Sequence, residues 1–131
     1  MYPKELKYTK THEWARLERK LVAVGITSYA SQELSDIVYV ELPPEGEEAT
    51  KGSPFGTLES VKAVSDVYSP ISGKIQEVNH RLQDEPELLN KDPYGEGWII
   101  KVSPTKEADL EDLMEAAAYE KFVEQQKEVE E

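Results

Sequence analysis

Cysteine is absent from the 131 residues. No disulfide framework, thiolate metal site or cysteine nucleophile is available, and any sulfur chemistry would have to ride on an attached group. Histidine is scarce: His12 and His80 are the only two. Neither has a second histidine at metal-ligand spacing, which argues against a zinc site. No apolar run approaches the roughly 20 residues that a membrane-spanning helix needs. Basic residues are outnumbered, 15 against 27 acidic ones, for a formal net charge of −12. Nucleic acid is therefore an unfavourable partner, because Lys and Arg must displace its counterions. An anionic membrane surface is equally unfavourable. The acidity favours solubility and steering toward basic protein surfaces. Phosphate-cradling glycine motifs, a Gly-x-Ser-x-Gly turn and an Asp-x-Asp-x-Asp-Gly calcium loop are all missing.

What is present reads mostly as β-structure in one domain with one modest core. Residues 11–17 and Leu21–Ile26 form an expected hairpin across Glu18-Arg19-Lys20. Residues 27–34 switch to helical spacing, with Thr27 or Ser28 as the cap. Residues 36–42 (DIVYVEL) are a strand that Pro43-Pro44-Glu45-Gly46 stops. Residues 55–60 and 63–68 are two strands around a tight connection at Val61-Lys62, and residues 74–78 alternate as another. Residues 79–97 are loop-rich, with one helical turn expected over 85–90. Residues 98–102 return to a strand. From about Thr105 the pattern is helical to the end, on Leu110, Leu113, Met114, Ala117 and Ala118, with residues 125–131 expected to fray. Gly52 and Gly73 mark turns on either side of Lys62, so two similar strand-turn-strand arms would flank it.

Lys62 is the one residue whose placement points to chemistry. A turn lysine is usually an ordinary surface lysine. A group carrier needs that same exposure, on a scaffold that holds the amine out to a modifying enzyme. Acylating the amine removes its charge and leaves a long arm that delivers a reactive group at high effective concentration. Cofactors of this kind, such as biotin and lipoamide, do the chemistry while the protein supplies position.

The segment Glu59-Ser60-Val61-Lys62-Ala63-Val64-Ser65-Asp66 closely resembles the lipoylation site of the H proteins of the glycine cleavage system. Tyr8-Thr9-Lys10, His12-Glu13-Trp14, Val24-Gly25-Ile26-Thr27 and Asp36-Ile37-Val38-Tyr39-Val40-Glu41-Leu42-Pro43 are similar to that family's earlier blocks. Tyr68-Ser69-Pro70, Gly73, Val78-Asn79, Pro86-Glu87-Leu88-Leu89-Asn90 and Asp92-Pro93-Tyr94-Gly95-Glu96-Gly97-Trp98 match the later ones. The resemblance spans residues 6–123, nearly the whole chain. Glu18-Arg19-Lys20 and the polar tail after Val123 depart from it, at a loop and a terminus.

The resemblance implies a mainly β fold, a β-sandwich of the lipoyl/biotinyl-carrier type (a barrel-sandwich hybrid) with short helices. Residues 1–131 would form a single lipoyl-carrier domain with a C-terminal helical extension at about 105–126. It implies lipoic acid covalently bound at Lys62, and a carrier rather than an enzyme. The carrier would take an aminomethyl group from glycine decarboxylase to aminomethyltransferase and its dithiol to dihydrolipoyl dehydrogenase. A lipoate-attaching enzyme is a fourth expected partner, and the expected state is a monomer. Glu59 and Asp66 flank Lys62 and would be read by the attaching enzyme. Glu13 and Asp66 would meet the amine of the loaded arm in a cleft. Residues 94–98 would shape a cleft or partner surface, or form a tight loop packing Trp98. Met1-Tyr2-Pro3-Lys4-Glu5 has no leader pattern, so the cytoplasm of a prokaryote is expected, or the mitochondrion for a processed eukaryotic form.

Val61 and Ala63 stand where a biotin carrier would show methionines. Val61 also stands where a lipoyl domain of a 2-oxoacid dehydrogenase would usually show Asp. The alternatives left are an H-like carrier serving another pathway, such as sulfur oxidation or lipoyl relay, and an unmodified acidic interaction module.

Overall fold

The computed structural model describes residues 2–130. The strands are β1 (Lys7–Tyr8), β2 (Glu13–Glu18), β3 (Leu21–Ile26), β4 (Ile37–Glu41), β5 (Glu48–Ala49), β6 (Pro54–Ser60), β7 (Val64–Tyr68), β8 (Gly73–Val78) and β9 (Ile100–Pro104). The helices are α1 (Ser28–Leu34), α2 (Arg81–Asp84), α3 (Leu88–Lys91) and α4 (Ala116–Glu130). All pairings between strands are antiparallel. Six strands form one sheet in the order β1-β2-β3-β9-β8-β5, and β4-β6-β7 form a second.

The two sheets close on an aliphatic core, because alternate residues of each strand face inward. Val22, Val24, Ile75, Ile100 and Val102 come from the large sheet, and Ile37, Val40, Leu58 and Val67 from the small one. The large sheet is also buried on its other face. There Trp14 and Ala23 pack with Tyr2, Leu6, Tyr8 and Tyr29, under Tyr119 and Val123 of α4. Strands β2 and β3 are thus sandwiched on both faces, which is why Leu21–Ile26 reads as a nearly continuous apolar run rather than an alternating one.

The β2–β3 hairpin turns on Arg19-Lys20, with Arg19 at φ 58. Thr27 caps α1, its hydroxyl accepting from the Ala30 N–H at 3.2 Å. The arms flanking Lys62 are β5–β6 and β7–β8, joined at their feet by a parallel bridge between Lys51 and Ser69. Gly52 sits in the turn of the first arm, at φ 83. Gly73 does not mark a turn; it opens β8, paired with Ala49 on one side and Pro104 on the other.

Three further expectations need correction. The helix expected from about Thr105 is interrupted. Glu107–Asp112 is a 3-10 turn, and α4 starts only at Ala116. Between them Met114 pairs with Tyr8 as an added rung on β1, by Tyr8 N–H to Met114 O and Met114 N–H to Tyr8 O, both 2.8 Å. Backbone pairing with an otherwise open strand edge outweighs the helical spacing of Leu110, Leu113 and Met114. Next, α4 runs on to Glu130, beyond the expected end at about 126. Last, residues 79–97 hold two short helices, α2 and α3, where one turn was expected. Residues 94–98 form the tight loop: Asp92 accepts from the Glu96 N–H through its carboxylate and from the Gly97 N–H through its carbonyl.

Gly25 fixes the packing of a fully buried aromatic residue, Trp14. A Cβ there would lie 2.7 Å from the Trp14 ring, which is fully buried and tied by its indole N–H to Pro93 O. Gly25→Ala is therefore expected to destabilise the fold by about 1–3 kcal/mol through overpacking. A lower urea midpoint at unchanged slope would show it. A midpoint equal to that of the parent protein would contradict it.

Candidate functional site

Lys62 lies at the tip of the β6–β7 hairpin, exposed, with Val61 and Ala63 also exposed. No ion pair among the described residues uses its ammonium. The side chain is free, but the backbone beneath it is held. The Ser60 N–H donates to Ala63 O at 2.8 Å and the Val61 N–H to Asp36 O at 3.0 Å. The Ser60 hydroxyl oxygen accepts from the Lys62 N–H at 3.3 Å and the Ala63 N–H at 3.1 Å. A serine side chain thus completes the turn, satisfying donors that would otherwise face water. An exposed primary amine on a stationary turn can be acylated and can carry an arm.

The register places the flanking acids. Glu59 pairs with Val64 and Thr57 with Asp66. Residues directly opposite share a face, and so do residues two apart along a strand. Glu59 and Asp66 are thus diagonal neighbours on the outer face of the hairpin, both exposed. Leu58 and Val67 point the other way, into the core.

Glu13 is elsewhere and is not exposed: it is 1% accessible. Its carboxylate accepts from the Thr9 hydroxyl at 2.6 Å, the Thr11 hydroxyl, and the backbone N–H of Tyr68 at 3.0 Å. The last bond ties it to β7, two residues beyond Asp66 and on the same face of that strand. Burial pushes the Glu13 carboxyl above the usual carboxylate range, opposed by the hydrogen bonds from Thr11, Thr9 and Tyr68. Glu13 lines a cleft of about 240 Å³, walled also by Tyr8, Thr9, Tyr68, Leu113 and Met114. Asp66 does not line this cleft. Glu13 and Asp66 are therefore brought to one strand but not into one cavity.

Thr9, Thr11 and Ser60 had no assigned role from sequence. Thr9 and Thr11 reach Glu13 because residues 9–12 turn between β1 and β2, with the His12 N–H donating to Thr9 O and His12 at φ 74. Met114 was misplaced on a helix and is a cleft wall instead. His12 is structural, its Nδ1 2.8 Å from the Tyr119 hydroxyl, which also meets the Thr27 hydroxyl at 2.7 Å.

A carboxyl with a raised native titration point contributes stability that is present at low pH and lost as pH rises through that point. Glu13→Gln removes this titration with little change in size. The parent protein is expected to lose stability relative to the variant as pH rises from the ordinary glutamate value of 4.5 upward. Urea midpoints of both proteins across pH would show the difference growing; a constant difference would contradict it.

Comparisons with known proteins identify the family. Residues 6–126 match the family described as Glycine cleavage H-protein. The glycine cleavage system H protein of Anaeromyxobacter sp. (strain K) is 55% identical over 124 residues, 95% of this chain and 97% of that protein. That of Thermotoga maritima is 54% identical over 120 residues, 92% of this chain and 97% of that protein. The crystal structure of a glycine cleavage system H protein from Mycobacterium marinum superposes with a TM-score of 0.83 at 41% identity, covering 89% of this chain and 94% of that one. The expected sandwich is thus the fold of a solved family member, and the chain belongs to the glycine cleavage H-protein family.

Proposed function

We propose that residues 1–131 act as one carrier domain of the glycine cleavage system, with lipoic acid in amide linkage to Lys62. The observation that carries this reading is the exposed Lys62 amine on a turn held by Ser60 and Asp36. Family membership supports it over an H-like carrier for another pathway. The residues fit the group: the amine is open to an acylating enzyme, and acylation costs no ion pair.

Lys62 would hold the lipoyl group, which would supply a disulfide/dithiol couple able to carry an aminomethyl group. The chain's own residues do the rest. Lys62 anchors the arm and sets its radius. Glu13, buried and held by three donors, is a site for a cationic amine, which would restore the anion that burial disfavours. The cleft beside it, lined by Tyr8, Leu113 and Met114, offers apolar wall to whatever enters. Asp66 lies on the exposed face between Lys62 and this cleft and would guide the cation toward Glu13. Glu59 and Asp66, flanking the bare amine, would be read by the lipoate-attaching enzyme.

The partners are then glycine decarboxylase, aminomethyltransferase and dihydrolipoyl dehydrogenase, together with that attaching enzyme. No turnover is assigned to the chain itself. A monomer suffices, since Lys62, Glu13 and the cleft come from one chain. The bacterial relatives support a cytoplasmic location.

Lys62→Arg keeps the charge but removes the acylable amine. It is expected to fold as the parent does, to remain unlipoylated, and to support no glycine cleavage when combined with the three partner enzymes. Glycine turnover by the variant at the parent's rate would overturn the reading.

A further inference from the structure

Four of the five large apolar side chains that stand exposed among the described residues cluster around the Lys62 turn. Val38 is 54% exposed, Tyr39 52%, and Val61 and Val64 67% each, with Leu17 the only one elsewhere. Scattered exposed apolar residues need no explanation, but a contiguous group does.

The register makes the group contiguous. Tyr39 pairs with Glu59, and Glu59 with Val64, so the three form a row across β4, β6 and β7 on the outer face. Val38 joins them through an irregularity in β4. Ile37 pairs with Ser60 and Tyr39 with Glu59, so β4 spends two steps where β6 spends one, and Val38 is the extra residue. Such a bulge breaks the alternation and re-aims side chains. Here it leaves two consecutive apolar residues in solvent, where a regular strand would have turned one of them inward. The Val61 N–H bond to Asp36 O fastens this end of β4 to the lysine turn. Asp36, Glu41, Glu59 and Asp66 surround the row, all exposed. Lys62 stands at the tip of the hairpin beside this acidic border.

We propose that the Val38–Tyr39 bulge, with Val61 and Val64, is the docking surface for the enzyme that acylates Lys62, a protein with an apolar pocket rimmed by Lys and Arg. This deepens the proposed function and rests on it. The occupant follows from reach. A bare lysine has only its four-carbon stem, so an enzyme that acylates it must cover the turn itself. The finished arm, by contrast, adds the length of the lipoyl chain between Lys62 and the enzymes it serves. The acidic border selects a basic rim and rejects an acidic one. Tyr39, large and amphipathic, is the natural anchor of such a contact.

The test is the kinetics of lipoyl transfer to the unmodified protein by a purified lipoate–protein ligase, followed by intact mass. The substrates are the parent protein, Val38→Ser, Tyr39→Ser and Leu17→Ser. Thermal unfolding of each confirms folding. Both β4 variants are expected to raise KM by about tenfold with kcat little changed, while Leu17→Ser behaves as the parent. Added salt is expected to raise the parent's KM as the acidic border is screened. No transfer to the parent at Lys62 would overturn the carrier reading itself. Transfer to the parent with the same KM for both β4 variants would leave that reading standing and overturn the docking surface. The docking surface is likewise overturned if the lipoylated β4 variants show an equal rise in KM with dihydrolipoyl dehydrogenase, because the patch would then belong to the arm's clients.

Discussion

Ser60, Asp36 and Ala63 hold the Lys62 turn by hydrogen bonds, because its side chains are too exposed to hold it by burial. A lysine that an enzyme must reach cannot be packed, and an unpacked turn ordinarily moves. Stapling the backbone on three sides while leaving the side chain loose meets both demands. The staple works only because β6 is central in its sheet, paired with β4 on one side and β7 on the other. Leu58 and Val67 then anchor the hairpin into the sandwich core.

The same logic of support from behind applies to the cleft. Glu13 is a charged residue on a doubly buried strand, an expensive place unless its oxygens are satisfied. Thr9 and Thr11 precede it on the same chain segment and donate to one oxygen, and Tyr68 N–H from the small sheet donates to the other. Glu13 thereby links the two sheets as well as lining the cavity. The rung between Met114 and Tyr8 brings the far end of the chain to the opposite wall, and α4 seals the aromatic side through Tyr119 and Val123. The C-terminal segment is therefore part of the site's construction and not an appendage.

Legibility in the sequence followed the range of the interactions. The Lys62 hairpin was readable because two segments of strand length, residues 55–60 and 63–68, are separated by a short connection, a purely local pattern. The β2–β3 hairpin and the Thr27 cap were readable for the same reason. The position of Met114 was not, since its spacing from Leu110 fits a helix and only a partner more than a hundred residues away makes it extended. The Val38 bulge depends on cross-strand register, which the residues 36–42 do not carry by themselves. Glu13 was singled out through family resemblance. Its burial and its separation from Asp66 depend on how the two sheets meet, which no local pattern encodes.

The central claim is that Lys62 is the attachment point of a lipoyl group. The most direct test is the intact mass of the protein purified from its native source, with peptide mapping across Lys62. The account predicts a shift equal to one lipoyl amide, confined to the peptide that contains Lys62. An unmodified Lys62 in cells whose other lipoyl proteins are modified would contradict it.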